Sequence, residues 1–251
     1  MAEKQDAYRL YARVAQDLAS KIAQSVYPVG KRLPSERDLA QTYAVSRPTV
    51  REAIIALELD GLVEVRLGSG VYVTAQRPRG GKAGETDIGP FELLEARRAI
   101  ESEACALAAV RITDEELSQL RLLLAEMQTE NAHDVTLSED ADRRFHMLIA
   151  ESTKNSAMSA AVQMLWEARA RSPQYQLLSA KALAAGVAPR IDEHAEIVAA
   201  LEARKPEAAR QAMRRHLTRV LDSLLAATEV EEVDRVRAKV AAERERYTNW
   251  S

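Results

Sequence analysis

Within residues 34–73 two helix starts and a hairpin follow each other so closely that few folds can hold them. "LPSERDLAQTY" opens a helix with Ser35 as N-cap and the acidic pair Glu36 and Asp38 in its first turn, where the helix dipole favours negative charge. Soon afterwards "VSRPTVREAIIALELDG" opens another, in which Ser46 caps, Pro48 is tolerated in the first turn and Gly61 ends the run. "LVEVRLGSGVYV" then sets two short β-branched runs around Gly68-Ser69-Gly70, a hairpin pattern. Upstream, from Tyr8 to about Val26, Leu10, Val14, Leu18 and Ile22 recur every four residues, and Pro28 and Gly30 stop that helix. Three short helices and a hairpin predict a winged helix-turn-helix domain over residues 1–74. Its third helix would enter the major groove of DNA and its hairpin would lie against the backbone or minor groove. Arg47, Thr49 and Arg51 crowd the N-terminal turn of that helix, where free N–H groups favour phosphate, while Ile54, Ile55 and Leu57 can face a core.

A chain of 251 residues has room for a second domain. Charge divides accordingly: residues 1–80 hold 12 Lys and Arg against 9 Asp and Glu, and the remainder 23 against 29, which suits a polyanion-binding module joined to something else. "TAQRPRGGKAGETDIGP" has turn formers and no apolar period, so residues 75–90 read as a linker, with Gly80, Gly81 and Gly84 as its most pliable points. From Phe91 the chain reads as helices. A capping box joins Thr113 to Glu116 and recurs at Thr136 and Glu139, and Pro189 and Pro206 stand near two helix starts. A mainly α protein is predicted, with an all-helical bundle over 91–228 and a charged helical tail over 229–251. Neither a leader pattern nor an apolar run long enough for a bilayer is present, so a cytoplasmic protein without membrane contact is expected. Cys105 is the only cysteine; it rules out an internal disulfide or a thiolate-rich metal site and reads as a small buried helix residue.

Three of the four histidines, His146, His194 and His216, have apolar neighbours at helical spacing, which turns each towards the bundle core. Asp142 sits one turn before His146, and a buried carboxylate needs a cation or donors. One Asp and three His from three helices can surround a divalent ion; separate hydrogen-bonded core histidines are the alternative. His133, in "NAHDVT", reads as a loop residue. No H-E-x-x-H pair and no general base stand out, so a metallohydrolase finds little support.

"KRLPSERDLAQTYAVSRPTVREAIIALELDGLVEVRLGSGVYV" resembles the winged-helix domain of the GntR family of bacterial transcription regulators. "ELLEARRAIESEACALAA", "DADRRFH" and "DEHAEIVAALEARKPEAARQAMRRHL" resemble the FCD effector domain of its FadR subfamily. Within it the chain looks most like the hexuronate regulators of the ExuR and UxuR type, through "YRLYARVAQDL", "YPVGKRLPSER", "IGPFELLEARRAIES" and "MLWEARARSPQY". The resemblance implies DNA contacts from Arg37, Ser46, Arg47, Thr49 and Arg51 with Gly68 in the wing, and metal ligation by Asp142, His146, His194 and His216. It implies an effector contact from Arg97, preferred over Arg98, with Asn155 near the same pocket; Arg169 and Arg171 read as surface ion pairs that are weaker candidates. A homodimeric repressor on double-stranded operator DNA is then expected, released by a small carboxylate such as a hexuronate, with lactate, gluconate or citrate as alternatives. Zinc, nickel or manganese would suit the ligands.

Overall fold

The structure is a computed structural model and describes residues 10–66, 69–78, 88–133, 138–187 and 191–228. Among them the chain forms ten helices and one two-stranded antiparallel sheet, divided between two compact units.

The first unit holds α1 (Leu10–Ala23), α2 (Glu36–Tyr43), α3 (Arg47–Leu59), β1 (Val63–Arg66) and β2 (Gly70–Val73), together with residues 173–181 and 225–228. The two serine caps form as the sequence predicts: Ser35 Oγ accepts from Asp38 N and Ser46 Oγ from Thr49 N, both at 3.2 Å. Val14, Leu18 and Ile22 of α1 pack against Leu39 of α2 and Val50, Ala53 and Leu57 of α3. Leu10, the first residue of the expected stripe, is 45% exposed, and Tyr11 takes its place in the core. The hairpin pairs Val63 with Val73 and Arg66 with Gly70. Lys31 and Leu33 add a third strand-like edge, Leu33 N donating to Val71 O at 2.8 Å and Val73 N to Lys31 O at 3.0 Å. Gly70 takes φ +124°, a backbone conformation that favours glycine, with the exposed Arg32 side chain lying over it.

The second unit is helical: α4 (Pro90–Ala109), α5 (Asp114–His133), α6 (Ser138–Ser152), α7 (Ser156–Arg171), α9 (Ile191–Glu202) and α10 (Pro206–Ala227) up to Leu224. The capping box at α5 is formed in both directions, Thr113 N donating to Glu116 Oε2 at 2.9 Å and Glu116 N to Thr113 Oγ1 at 3.2 Å. Cys105, Leu120, Phe145, Ile149, Ile197 and Leu217 anchor one core drawn from five helices. Burial pushes the Cys105 thiol up to about 12. Two details differ from the sequence reading. Residues up to His133 continue α5 rather than forming a loop, and "PQYQLLSAKALA" makes a separate helix, α8 (Pro173–Ala184), which the sequence reading did not resolve. Gly68, the linker glycines, the Thr136 cap, Pro189 and the tail from Glu229 lie outside the described residues.

Candidate metal centre and DNA-reading helix

Four residues apart on α6, Asp142 and His146 share one face, and α9 and α10 bring His194 and His216 to it. One ligand atom from each of the four lies within 4.8 Å of the others, and no other such group occurs among the described residues. Asp142 Oδ1 is 2.9 Å from His194 Nε2 and 3.4 Å from His146 Nε2. The imidazoles of His194 and His216 are 4.4 Å apart, and that of His146 lies 5.4 Å from His216. Phe145 stands edge-on to His194 and His146 and walls the group from the bundle core.

Two buried carboxylates orient the rings from behind. Glu101 Oε2 is 2.5 Å from His146 Nδ1 and Glu193 Oε2 is 3.0 Å from His216 Nδ1. A carboxylate only accepts, so each Nδ1 carries the proton and the neutral ring keeps its Nε2 lone pair for another partner. Both carboxylates are held in turn: Arg97 Nε donates to Glu101 Oε1 at 2.6 Å, and Arg219 Nη1 lies 2.5 Å from Glu193 Oε1.

The electrostatics suit a cation. Burial works to raise Asp142, but hydrogen bonds and charge from His146 and His194 outweigh it and hold the carboxyl well below its usual range. Glu101 is held down at about 2: burial opposes this, and the charges of Arg97 and His146 overcome it. Burial depresses His216 to about 4, so its ring is neutral at pH 7. His146 is pulled down by burial, but Glu101 and Asp142 win and raise it. Its Nε2 is buried and meets only Asp142 Oδ1, at 3.4 Å and too loosely aligned for a full hydrogen bond, so a stronger partner could take the position. One carboxylate and three imidazoles, with this loosely paired nitrogen among them, fit a divalent ion that prefers N and O donors.

The remaining expected residues fall less simply. Arg97 is buried and already bonded to Glu101, with its Cζ 4.0 Å from the Trp166 ring. Asn155 is exposed and serves as N-cap of α7, its Oδ1 accepting from Ala157 N at 3.1 Å and Met158 N at 3.3 Å. Arg171 is exposed beside Glu167, whereas Arg169 is largely buried, with Nη1 3.9 Å from Asp142 Oδ2. Sequence reasoning gave no role to Glu101, Glu193, Arg219 or Trp166. The signal within reach was the spacing Arg97–Glu101, a helical i,i+4 ion pair.

In the other unit, Arg37 (72% exposed), Ser46 and Arg47 stand at the surface around the start of α3, and Thr49 is half-buried. Arg47 Nη2 lies 3.6 Å from Glu36 Oε2. Arg51, expected at the DNA, is instead buried: Nε donates to both Glu36 oxygens at 2.8 and 2.9 Å, and Nη1 to Leu225 O at 2.9 Å. One turn beyond Arg47, its side chain follows the core face of α3, where the buried Glu36 carboxylate supplies the partner that a buried cation requires.

Residues 10–73 match the family described as bacterial regulatory proteins, gntR family, and residues 92–219 match the FCD domain. The chain is 39% identical over 214 residues to the Exu regulon transcriptional regulator of Escherichia coli (strain K12), a match covering 83% of this chain and 82% of that one. It is 36% identical over 240 residues to the Uxu operon transcriptional regulator of the same strain, covering 93% of each. With the Uxu operon regulator of Haemophilus influenzae it shares 35% over 230 residues, 89% of this chain and 85% of that one. Two family matches in this order, over an N-terminal winged helix and a helical bundle, establish that the chain belongs to the GntR family of bacterial transcriptional regulators and carries an FCD domain.

Proposed function

We propose that this regulator is a homodimeric repressor that leaves its operator when a hexuronate binds at a metal centre in the helical domain. The observation that carries the sensing half is a cluster of four donors within 4.8 Å of one another, the buried Nε2 of His146 among them, braced by Glu101 and Glu193. The names of the Exu and Uxu relatives support the choice of a hexuronate. Asp142, His146, His194 and His216 would hold zinc, nickel or manganese. The ion would supply positive charge and Lewis-acid coordination for a carboxylate ligand.

The chain's own residues do the rest. Glu101 and Glu193 fix two ring tautomers and so keep the donor set assembled. Arg97 uses Nε and Nη2 on Glu101, and its Nη1 donors are the ones that would reach an effector carboxylate. Arg37, Ser46, Arg47 and Thr49 make the phosphate and base contacts; Arg51 anchors α3 through Glu36 instead. Two copies of α3 enter successive major grooves of a palindromic site, residues 1–74 acting as the reading head and 91–228 as the sensor. Effector binding shifts the equilibrium only if it favours one arrangement of these parts over the other.

The test is binding of the purified chain to DNA upstream of its own coding region, titrated with glucuronate, galacturonate, fructuronate and tagaturonate. Release by one of them at micromolar concentration supports the reading. Tight binding that none of them alters rejects the hexuronate and turns the search to lactate, gluconate and citrate.

A further inference from the structure

Trp166 on α7 is buried beside two guanidiniums, with Arg97 Cζ 4.0 Å and Arg169 Cζ 4.7 Å from its ring. The ring stands 5.3 Å from that of His146, and Ile100, Met147, Ala150 and Val162 complete its packing. The indole Nε1 is buried and has no hydrogen-bond partner. An indole N–H can only donate, and so can a guanidinium. Neither arginine can therefore satisfy it; Ile100, Ala150 and Val162 offer no side-chain acceptor, and the weakly accepting Met147 sulfur makes no hydrogen bond to it. A phenylalanine would fill most of this space without leaving a donor unpaired, so the buried N–H is a cost that the fold alone does not explain.

Arg169 brings the second half of the pattern. Its side chain is 14% exposed and reaches to 3.9 Å from Asp142 Oδ2, so one guanidinium adjoins both the indole and the metal-ligand cluster. Donors of this kind, beside a place for a cation, select a guest that is anionic and carries further acceptor oxygens beyond the group that enters the cluster.

We propose that Trp166 and Arg169 form a subsite for the outer oxygens of a polyhydroxylated carboxylate. The indole N–H donates to one hydroxyl or ring oxygen, and the Arg169 guanidinium to the next. The inference rests on the sensing role proposed above and deepens it: the four ligands and Arg97 serve any small carboxylate, whereas this pair distinguishes a sugar acid from a short acid with no outer oxygens. A site built to hydrogen-bond such oxygens discriminates strongly against guests that lack them.

The chain has two tryptophans, Trp166 and Trp250, so a Trp250→Phe protein reports Trp166 fluorescence alone. The full metal-loaded chain is titrated with galacturonate, glucuronate and acetate, following emission and heat. A uronate is expected to shift Trp166 emission, and Trp166→Phe to weaken that uronate about tenfold, the scale of one lost hydrogen bond in a buried site. Metal content and acetate affinity stay within about twofold in that variant on the same scale. Arg169→Gln weakens the uronate likewise and keeps the test valid if the Phe variant folds poorly. A uronate that binds the parent and both variants equally overturns the subsite and leaves the sensing role standing. A parent chain that binds its operator but none of glucuronate, galacturonate, fructuronate and tagaturonate overturns both.

Discussion

Glu101 touches no ligand position, yet it decides whether His146 can be one. Held by Arg97 on one side, it fixes Nδ1–H on the other and points Nε2 into the cluster. Glu101→Gln keeps the shape but weakens the acceptor, and outer partners of this type are worth about 10–100-fold in metal affinity. That loss, read by competition with a chelating dye, should occur with unchanged far-UV dichroism; unchanged affinity would leave Glu101 as packing only. Proton competition adds a pH dependence. His146 is raised above its ordinary value, so in the metal-free chain its protonated form contributes stability below about pH 6.5, lost as pH rises through the raised value. His216, depressed to about 4, works in the opposite sense: its neutral form contributes stability above pH 6.5, lost as pH falls towards 4. A metal needs both rings neutral, so affinity measured from pH 7.5 down to 5.5 should fall, with proton release on binding that calorimetry in two buffers detects. The cluster of Asp142, His146, His194 and His216 was legible in the sequence because helical spacing alone turns them inward. Glu193 was not, because its role depends on a ring 23 positions away on another helix.

At the scale of elements, what is local was readable and what is tertiary was not. Ser35, Ser46 and Thr113 each satisfy donors within three residues, so a short sequence window contains the whole interaction. The end of α7 and the start of α8 are separated only by Ser172, too brief a punctuation for a helical pattern to reveal. Arg51 shows the same limit: at a helix N-terminus an arginine suits phosphate, and only the fold shows the buried Glu36 carboxylate that it meets. The wing makes a sharper test. Gly70→Ala forces a side chain onto a backbone of φ +124°, a strain of about 1–3 kcal/mol. The variant should unfold at lower urea in the full chain and bind operator more weakly while keeping its metal content; an unaltered urea midpoint would contradict the strained backbone.

For the whole molecule, reading and sensing should separate by mutation. Arg47→Ala should lose operator binding in a fluorescence anisotropy titration and retain metal and effector binding. His194→Ala should lose metal, and with it the effector response, while still shifting operator DNA; normal metal content in that variant would remove His194 from the centre. Stripping the metal with a chelator should lower the melting temperature by roughly 5–10 °C, as expected for removing a ligand present at about a hundred times its Kd from a chain of this size. An unchanged melting temperature would mean that no ion was bound. The order of two domains was visible in the sequence from the change of texture after Val73, because a patterned domain, a turn-rich stretch and a helical run differ in composition as well as period. The buried thiol of Cys105 has a practical consequence at this scale. With its only sulfhydryl enclosed in the bundle and protonated at any ordinary pH, the wild-type chain is inert to maleimide and nitroxide reagents. A single cysteine placed at Ser69 in the wing would then carry a spin label without competition, and the label-to-label distance would reveal directly whether two wings move apart when a sugar acid is added.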